Sequence, residues 1–191
     1  MPLTDPAPAA RARRNDPGRR DRIIDACLEV IAEDGVDGTS HRRVAAEAGV
    51  PLGSMTYHFS GRDELLREAF ARFTTAASAR FASRLDQVAP GDREGAVEAV
   101  VDIIRRDALP DRRELVLSHE LYTLAARDPA YRDLTNAWMR RSRAALERCF
   151  DPATARVVDA LIEGMTIHRA LDTQPCDEAD VELAVRRLTQ G

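Results

Sequence analysis

The sequence predicts an all-α fold in which a small three-helix module with a helix-turn-helix precedes a larger helical domain. Three observations carry this expectation. Apolar residues recur at spacings of three and four, and no alternating, strand-like run occurs anywhere in the chain. An Asp-Pro pair is found at Asp16-Pro17, Asp128-Pro129 and Asp151-Pro152; it is a good helix start, because Asp caps free N–H groups and Pro loses nothing in the first turn. Two short helical stretches flank Ala48-Gly49-Val50, where glycine can take the positive φ of a tight turn.

Residues 1 to about 15 combine Pro, Ala and Arg with almost no large apolar side chain, so burial cannot offset the entropy of ordering and disorder is expected. The first helix starts at Asp16-Pro17, aligns Ile24, Cys27, Leu28 and Ile31 on one face, and stops at Gly35. Two short helices follow at about 41–48 and 52–58. Longer ones are expected at about 62–88, 93–108, 112–127, 129–149, 152–172 and 178–189. The segment from Arg62 to Val88 places Leu65, Leu66, Ala69, Phe70, Phe73, Ala77, Phe81 and Leu85 without an internal Gly or Pro. At 1.5 Å per residue it would reach about 40 Å, enough to join two domains. The predicted division is an Arg-rich arm at 1–15, the helix-turn-helix module at 16–62, and a larger helical domain at 63–191.

A formal net charge of -4 argues against non-specific nucleic-acid binding over the whole surface. The distribution is more informative. Every basic residue is Arg, and six fall between Arg11 and Arg22 against only Asp16 and Asp21. This local positive arm is either an inert tail or a strand for an adjacent minor groove. No apolar run approaches the roughly 20 residues that span a bilayer, and the N-terminus lacks the apolar stretch of a signal peptide, so a cytoplasmic protein without a membrane partner is expected. Cys27, Cys149 and Cys176 are odd in number and lack C-x-x-C spacing, which argues against a disulfide framework or zinc site. The four His show no metal-ligand spacing, and no nucleophile-elbow, Walker or Rossmann glycine pattern occurs, so neither a cofactor nor an enzyme is expected.

Within the helix-turn-helix, Val44, Ala45 and Ala48 point inward, and Val50, Met55 and Phe59 anchor the second helix. That helix is then free to enter a major groove with Leu52, Gly53, Ser54, Thr56, Tyr57 and His58. Gly53 keeps its start clear of the sugar-phosphate backbone. Ser60 and Asp63 have the spacing of a capping box for the next helix, and Arg62 in its first turn could clamp a phosphate.

These residues resemble the DNA-binding signature of the TetR family: Thr39-Ser40-His41-Arg42-Arg43-Val44-Ala45, Ala48-Gly49-Val50, Gly53, His58-Phe59 and Arg62-Asp63-Glu64-Leu65. The match runs in unbroken register over roughly residues 20 to 68. It implies that the first three helices bind DNA, the fourth connects them to a variable helical domain, and the last two pair between subunits in a four-helix bundle. Thr56 stands where the family usually has Tyr, with the aromatic at Tyr57 instead, and Arg62 replaces the usual Lys while keeping the charge. The implied DNA-facing set is Ser40, His41, Arg42, Leu52, Gly53, Ser54, Thr56, Tyr57, His58 and Arg62. Arg42 resembles the position that reaches a guanine edge or a phosphate, and His58 is either core or a phosphate contact.

In the larger domain Phe73, His119, Tyr122, Trp138, Met165 and His168 are the candidate ligand-binding residues. They are either ordinary core or the wall of an apolar, aromatic pocket with a few polar tips. Val157, Leu161, Met165 and Leu171, with Val181, Val185 and Leu188, form stripes on the two terminal helices, and Ala160 and Gly164 are small enough for a partner helix to approach. A homodimer through helices 152–172 and 178–189 is expected. The resemblance implies a repressor released from a palindromic double-stranded DNA operator by a small-molecule effector of unknown identity. The alternative is a regulator controlled by a protein partner or by abundance, which predicts a tightly filled domain. A helical enzyme or carrier would need a cluster of acid-base groups that the sequence does not supply.

Overall fold

A computed structural model describes residues 16–174 and 177–190, so the arm at 1–15, with Arg11, Arg13 and Arg14, and the thiol of Cys176 lie outside the described residues. The described chain is helical throughout: α1 (Arg19–Gly38), α2 (His41–Glu47), α3 (Gly53–His58), α4 (Arg62–Leu85), α5 (Arg93–Asp102), a π-helical turn (Ile103–Asp107), α6 (Arg112–Ala125), α7 (Pro129–Leu146), α8 (Pro152–Leu171) and α9 (Glu178–Thr189).

Two of the three expected Asp-Pro starts work as caps; at the first, α1 begins at Arg19 without a side-chain cap, and Asp16 accepts from the Gly18 amide at 3.1 Å ahead of it. Asp128 accepts from the Ala130 amide at 2.8 Å, and Asp151 from those of Ala153 and Thr154 at 2.9 and 3.1 Å. Asp92 and Asp111 cap α5 and α6 in the same way without a proline, each accepting from an amide at 2.9 Å. Each cap satisfies donors that the first turn leaves free. Gly35 breaks α1 as expected, at φ 71 and ψ 175, but helical turns resume as far as Gly38. At the start of α4 the expected Ser60–Asp63 box is replaced by Glu64, whose Oε2 accepts from both the amide and the hydroxyl of Ser60 at 2.6 Å. The longer Glu side chain reaches back one residue further than Asp63 can.

The helix expected over 93–108 ends early. Ala108 donates to the Ile103 carbonyl five residues back at 2.8 Å, the mark of a π turn. The extra residue keeps Ile103 and Ile104 buried and brings Asp107 to Arg84 Nε at 2.7 Å. Leu109 follows with φ 47, a left-handed backbone that a branched side chain rarely adopts. The guanidinium of Arg169 holds it there, donating to the carbonyls of Ala108 at 2.7 Å and Leu109 at 3.2 Å.

Two apolar cores form, and α4 contributes to both. The first joins Ile24, Ile31, Val44, Met55, Phe59, Leu65 and Phe70 to Leu117 and Leu121 of α6 and Tyr131 of α7. The second collects Leu85, Val97, Val100, Ile103, Leu146, Val158, Ile162, Val181 and Val185. Each such side chain contributes about 1.5–3 kcal/mol on full burial. The 24 residues of α4 span roughly 36 Å and fix one core relative to the other.

Candidate functional site

The short helices α2 and α3 are held by their undersides. Val44, Ala45, Met55 and Phe59 are buried, and between the helices Gly49 takes φ 62 while Val50 donates back to the Ala45 carbonyl at 3.0 Å. Ser40 caps α2, accepting from the Arg43 amide at 3.2 Å. The outer face then carries Arg42, Leu52, Gly53, Thr56 and Tyr57, all exposed, with Tyr57 84% open. A side chain that large has no folding reason to be so open on a rigid helix. Nothing lies within 4 Å of where a Cβ on Gly53 would stand, so a phosphate backbone can approach there. His58 is half-buried, with its ring edge-on to Tyr57 at 4.9 Å, and His41 is half-buried with a buried Nε2 that has no partner.

Other expected DNA-facing residues point elsewhere. Ser54 is buried, because the first turn of α3 rotates it toward the core beside Met55. Arg62 turns inward: its Nε donates to the Thr39 carbonyl at 2.6 Å and its Nη2 to the Val36 carbonyl. It satisfies carbonyls at the C-terminal end of α1, which takes it away from phosphate. Arg43, beside Arg42, is consumed by Glu33, Asp34 and Glu47 at 2.6, 2.9 and 2.9 Å. Of the arginines preceding the core of α1, Arg20 lies over the Phe59 ring at 5.1 Å and pairs with Glu68, while Arg22 pairs with Asp16 at 2.6 Å.

Between α4, α6, α7 and α8 lies a cavity of about 100 Å³. Phe73, His119, Tyr122 and Trp138 line it, as expected of a ligand site. The rings of Tyr122 and Trp138 are parallel, 9° apart with centroids at 6.1 Å, and Phe73 meets Trp138 edge-on at 5.6 Å. Two expected members are absent from the lining. Met165 packs against the second core, and His168 is exposed on the far side of α8. Helical phase explains both: Ile162, Glu163, Thr166 and Ile167 face the cavity, so their neighbours cannot. The acidic lining formed by Asp107, Glu114, Asp159 and Glu163 was not anticipated, since carboxylates on helices usually face solvent. The spacing of Asp159 and Glu163 about the apolar Ile162 was the available signal. Burial raises the Asp159 and Glu114 carboxyls above their ordinary values, opposed by Arg143 and Arg80 respectively. Among the described residues no His, Cys, Asp and Glu group is arranged to hold a metal ion, and no helix is long and apolar enough to cross a membrane.

The expected dimer stripes divide. Val181 and Val185 are buried in the second core, with Leu161 and Met165 packed against it. The outward face of α8 keeps Val157 (49% exposed), Ala160, Gly164, His168 and Leu171 (59%), and α9 adds Leu183 and Leu188. Nothing lies within 4 Å of a Cβ built on Gly164.

An outward helix on a short helical module, fused to a helical body with a lined cavity, defines a helix-turn-helix protein. The profile of bacterial regulatory proteins of the tetR family matches residues 23–69, and that of the tetracyclin repressor-like C-terminal domain matches residues 91–191. The chain belongs to the TetR family of transcriptional regulators. Among solved structures it is similar to SCO7518 of Streptomyces coelicolor A3(2), at 55% identity and a TM-score of 0.85, covering 92% of this chain and 100% of that one. The multidrug binding protein EbrR complexed with ethidium is 35% identical with a TM-score of 0.73, covering 90% of this chain and 98% of that one. Among curated relatives, the nicotine-responsive repressor HdnoR of Paenarthrobacter nicotinovorans is 29% identical over 119 residues, 61% of this chain and 59% of its own. The regulator PksA of Bacillus subtilis is 36% identical over 103 residues, 54% of this chain and 41% of its own. The matches thus span about two-fifths to three-fifths of these curated relatives' length.

Proposed function

We propose that the protein is a homodimeric repressor that holds a palindromic operator through α2 and α3 and releases it when a small molecule enters the cavity behind them. Residues 16–62 serve as the DNA-binding unit and 63–191 as the effector and dimerisation unit. The observation that carries DNA binding is Tyr57, 84% exposed on a helix otherwise pinned by Met55 and Phe59, with Arg42 free beside it. Ser40, Thr56 and His58 flank them, and the Gly53 backbone admits the phosphates. Control by a small molecule is supported by a cavity lined with aromatic rings where a filled core would otherwise be. It is supported too by EbrR, which binds ethidium, proflavin and malachite green, and by HdnoR, which is nicotine-responsive. Two reading helices are needed because one contacts too few base pairs to specify an operator. The outward stripe from Val157 to Leu171, with Leu183 and Leu188, is the face for the second copy.

The test is selection of bound fragments from genomic DNA by the full chain, followed by measurement of affinity for the recovered sequence. A palindrome with half-sites one helical turn apart, roughly 34–36 Å, is expected. Recovery of fragments with no shared sequence would refute specific binding.

A further inference from the structure

The cavity selects the chemistry of its ligand. Of its four carboxylates, three are matched by arginine: Asp107 by Arg84 Nε at 2.7 Å, Glu114 by Arg80 at 2.6 Å, and Asp159 by Arg143 Nε at 3.0 Å. Glu163, at the open mouth, has no arginine partner among the described residues and is met by the Tyr122 hydroxyl. Tyr122 remains a neutral donor, since burial first and Glu163 second push its ionisation far up. The wall therefore carries one negative charge in excess, set beside the parallel rings of Tyr122 and Trp138. One helical turn before Tyr122, Ser118 is 2% exposed and lines the cavity, and its Oγ has no hydrogen-bond partner. A buried hydroxyl left unpaired is costly, and a ligand that pairs it recovers that cost.

We propose that the ligand is a compact, flat heteroaromatic monocation carrying a hydrogen-bonding group on the edge remote from its charge. Its ring lies on Tyr122 and Trp138, its positive nitrogen faces Glu163, and its edge group bonds Ser118 Oγ. Indole and phenol faces attract a cation, and the indole attracts it most strongly. An anion would meet arginines already consumed by carboxylates. A neutral ligand would cover Glu163 and leave its charge only the Tyr122 hydroxyl as partner. This assignment rests on the cavity being the effector site proposed above, and it names the effector's chemical class.

The experiment uses the full chain and the fluorescence of Trp138, the sole tryptophan. The probes are 1-methylquinolinium, its uncharged isostere 1-methylnaphthalene, and 6-amino-1-methylquinolinium. The cation should quench Trp138 saturably and bind about tenfold or more tighter than the isostere. Glu163→Gln should remove that preference, and Ser118→Ala should remove the gain given by the amino group, with circular dichroism reporting whether each variant folds. Equal binding of cation and isostere by the wild type overturns the proposal without needing any variant. So does cation binding that Glu163→Gln leaves unchanged, and so does no binding of either cation. Operator affinity is measured in parallel with each probe. A cation that binds through Glu163 yet leaves operator affinity unaltered upholds the ligand class and refutes the effector role, so the two failures are distinguishable.

Discussion

Arg113 on α6 grips Glu29 on α1 with two nitrogens, Nε at 2.9 Å and Nη2 at 2.6 Å from Oε1. The same helix presents Glu114, Ser118 and Tyr122 to the cavity, so α6 touches the DNA-binding module on one face and the cavity on the other. Such a partly exposed pair is worth about 0.2–1 kcal/mol. Arg113→Ala should therefore lower the melting temperature little. It should keep operator affinity within roughly threefold when no ligand is present, and shrink the ratio of affinities with and without saturating 1-methylquinolinium. Fluorescence anisotropy of a labelled operator reads both quantities, and an unchanged ratio would place the coupling in another contact.

Arg42→Ala and Tyr57→Ala should leave the melting temperature unaltered, because both side chains are exposed. Each should weaken binding to the best operator by about 5-fold to 150-fold, the equivalent of about 1–3 kcal/mol per direct base contact. Operator titrations on both variants supply the check, and full affinity in the pair would mean that α3 does not read the groove.

Arg62→Ala should behave in the opposite way. Its guanidinium serves the Val36 and Thr39 carbonyls, and hydrogen bonds from a charged donor are worth about 1.5–3 kcal/mol. A marked loss of thermal stability is expected, with no change in the slope of log affinity against log salt. A phosphate contact would instead reduce that slope by about 0.9.

Gly164→Arg and Leu171→Asp act on the outward face of α8, where neither position packs inside the subunit. Both should give folded monomers in sedimentation, whereas the wild type should dimerise at micromolar concentration. Leu161 is a poorer probe, since it packs against the second core and its loss would confuse assembly with folding.

The Thr154 hydroxyl, and then the amides at the start of α8, hold the Asp151 carboxyl below its ordinary value of 3.8. A carboxyl depressed on folding stabilises the native state above its unfolded value, and that contribution disappears as pH falls through the folded value. Acid should therefore destabilise the wild type below about pH 4 more steeply than it does Asp151→Asn, which keeps a capping oxygen but cannot be protonated. Melting temperatures across an acid series give the comparison, and parallel curves would contradict the cap.

The helices were legible because their starts are local chemistry: an Asp two or three residues ahead of a free amide works whatever surrounds it. The π turn was not, since Val97 to Ile104 reads as one helix and the extra residue answers to Arg84 and Arg169 reaching in from other parts of the chain and to Arg105, within the turn, reaching out to the Glu178 carbonyl. The cavity was half legible. Aromatic residues signalled Phe73, Tyr122 and Trp138, but helical phase alone decides that Thr166 faces inward and His168 outward. Arg62 deceived for the same reason, because an arginine in a first turn looks like a free charge until the helix that ends opposite it is known.

The first core has a consequence for how the molecule comes apart. Because Leu117, Leu121 and Tyr131 complete the packing of α1 to α3, these helices and α6 belong to one cooperative unit, although nearly fifty residues separate Phe70 from Leu117. Amides of α1 and α6 should exchange with solvent at matched rates through a shared opening, and α8 and α9 should follow a separate one. A fragment cut after residue 62 would expose the α1 face that α6 covers and would not keep its fold. The smallest autonomous reading head must carry α6 and α7 with it.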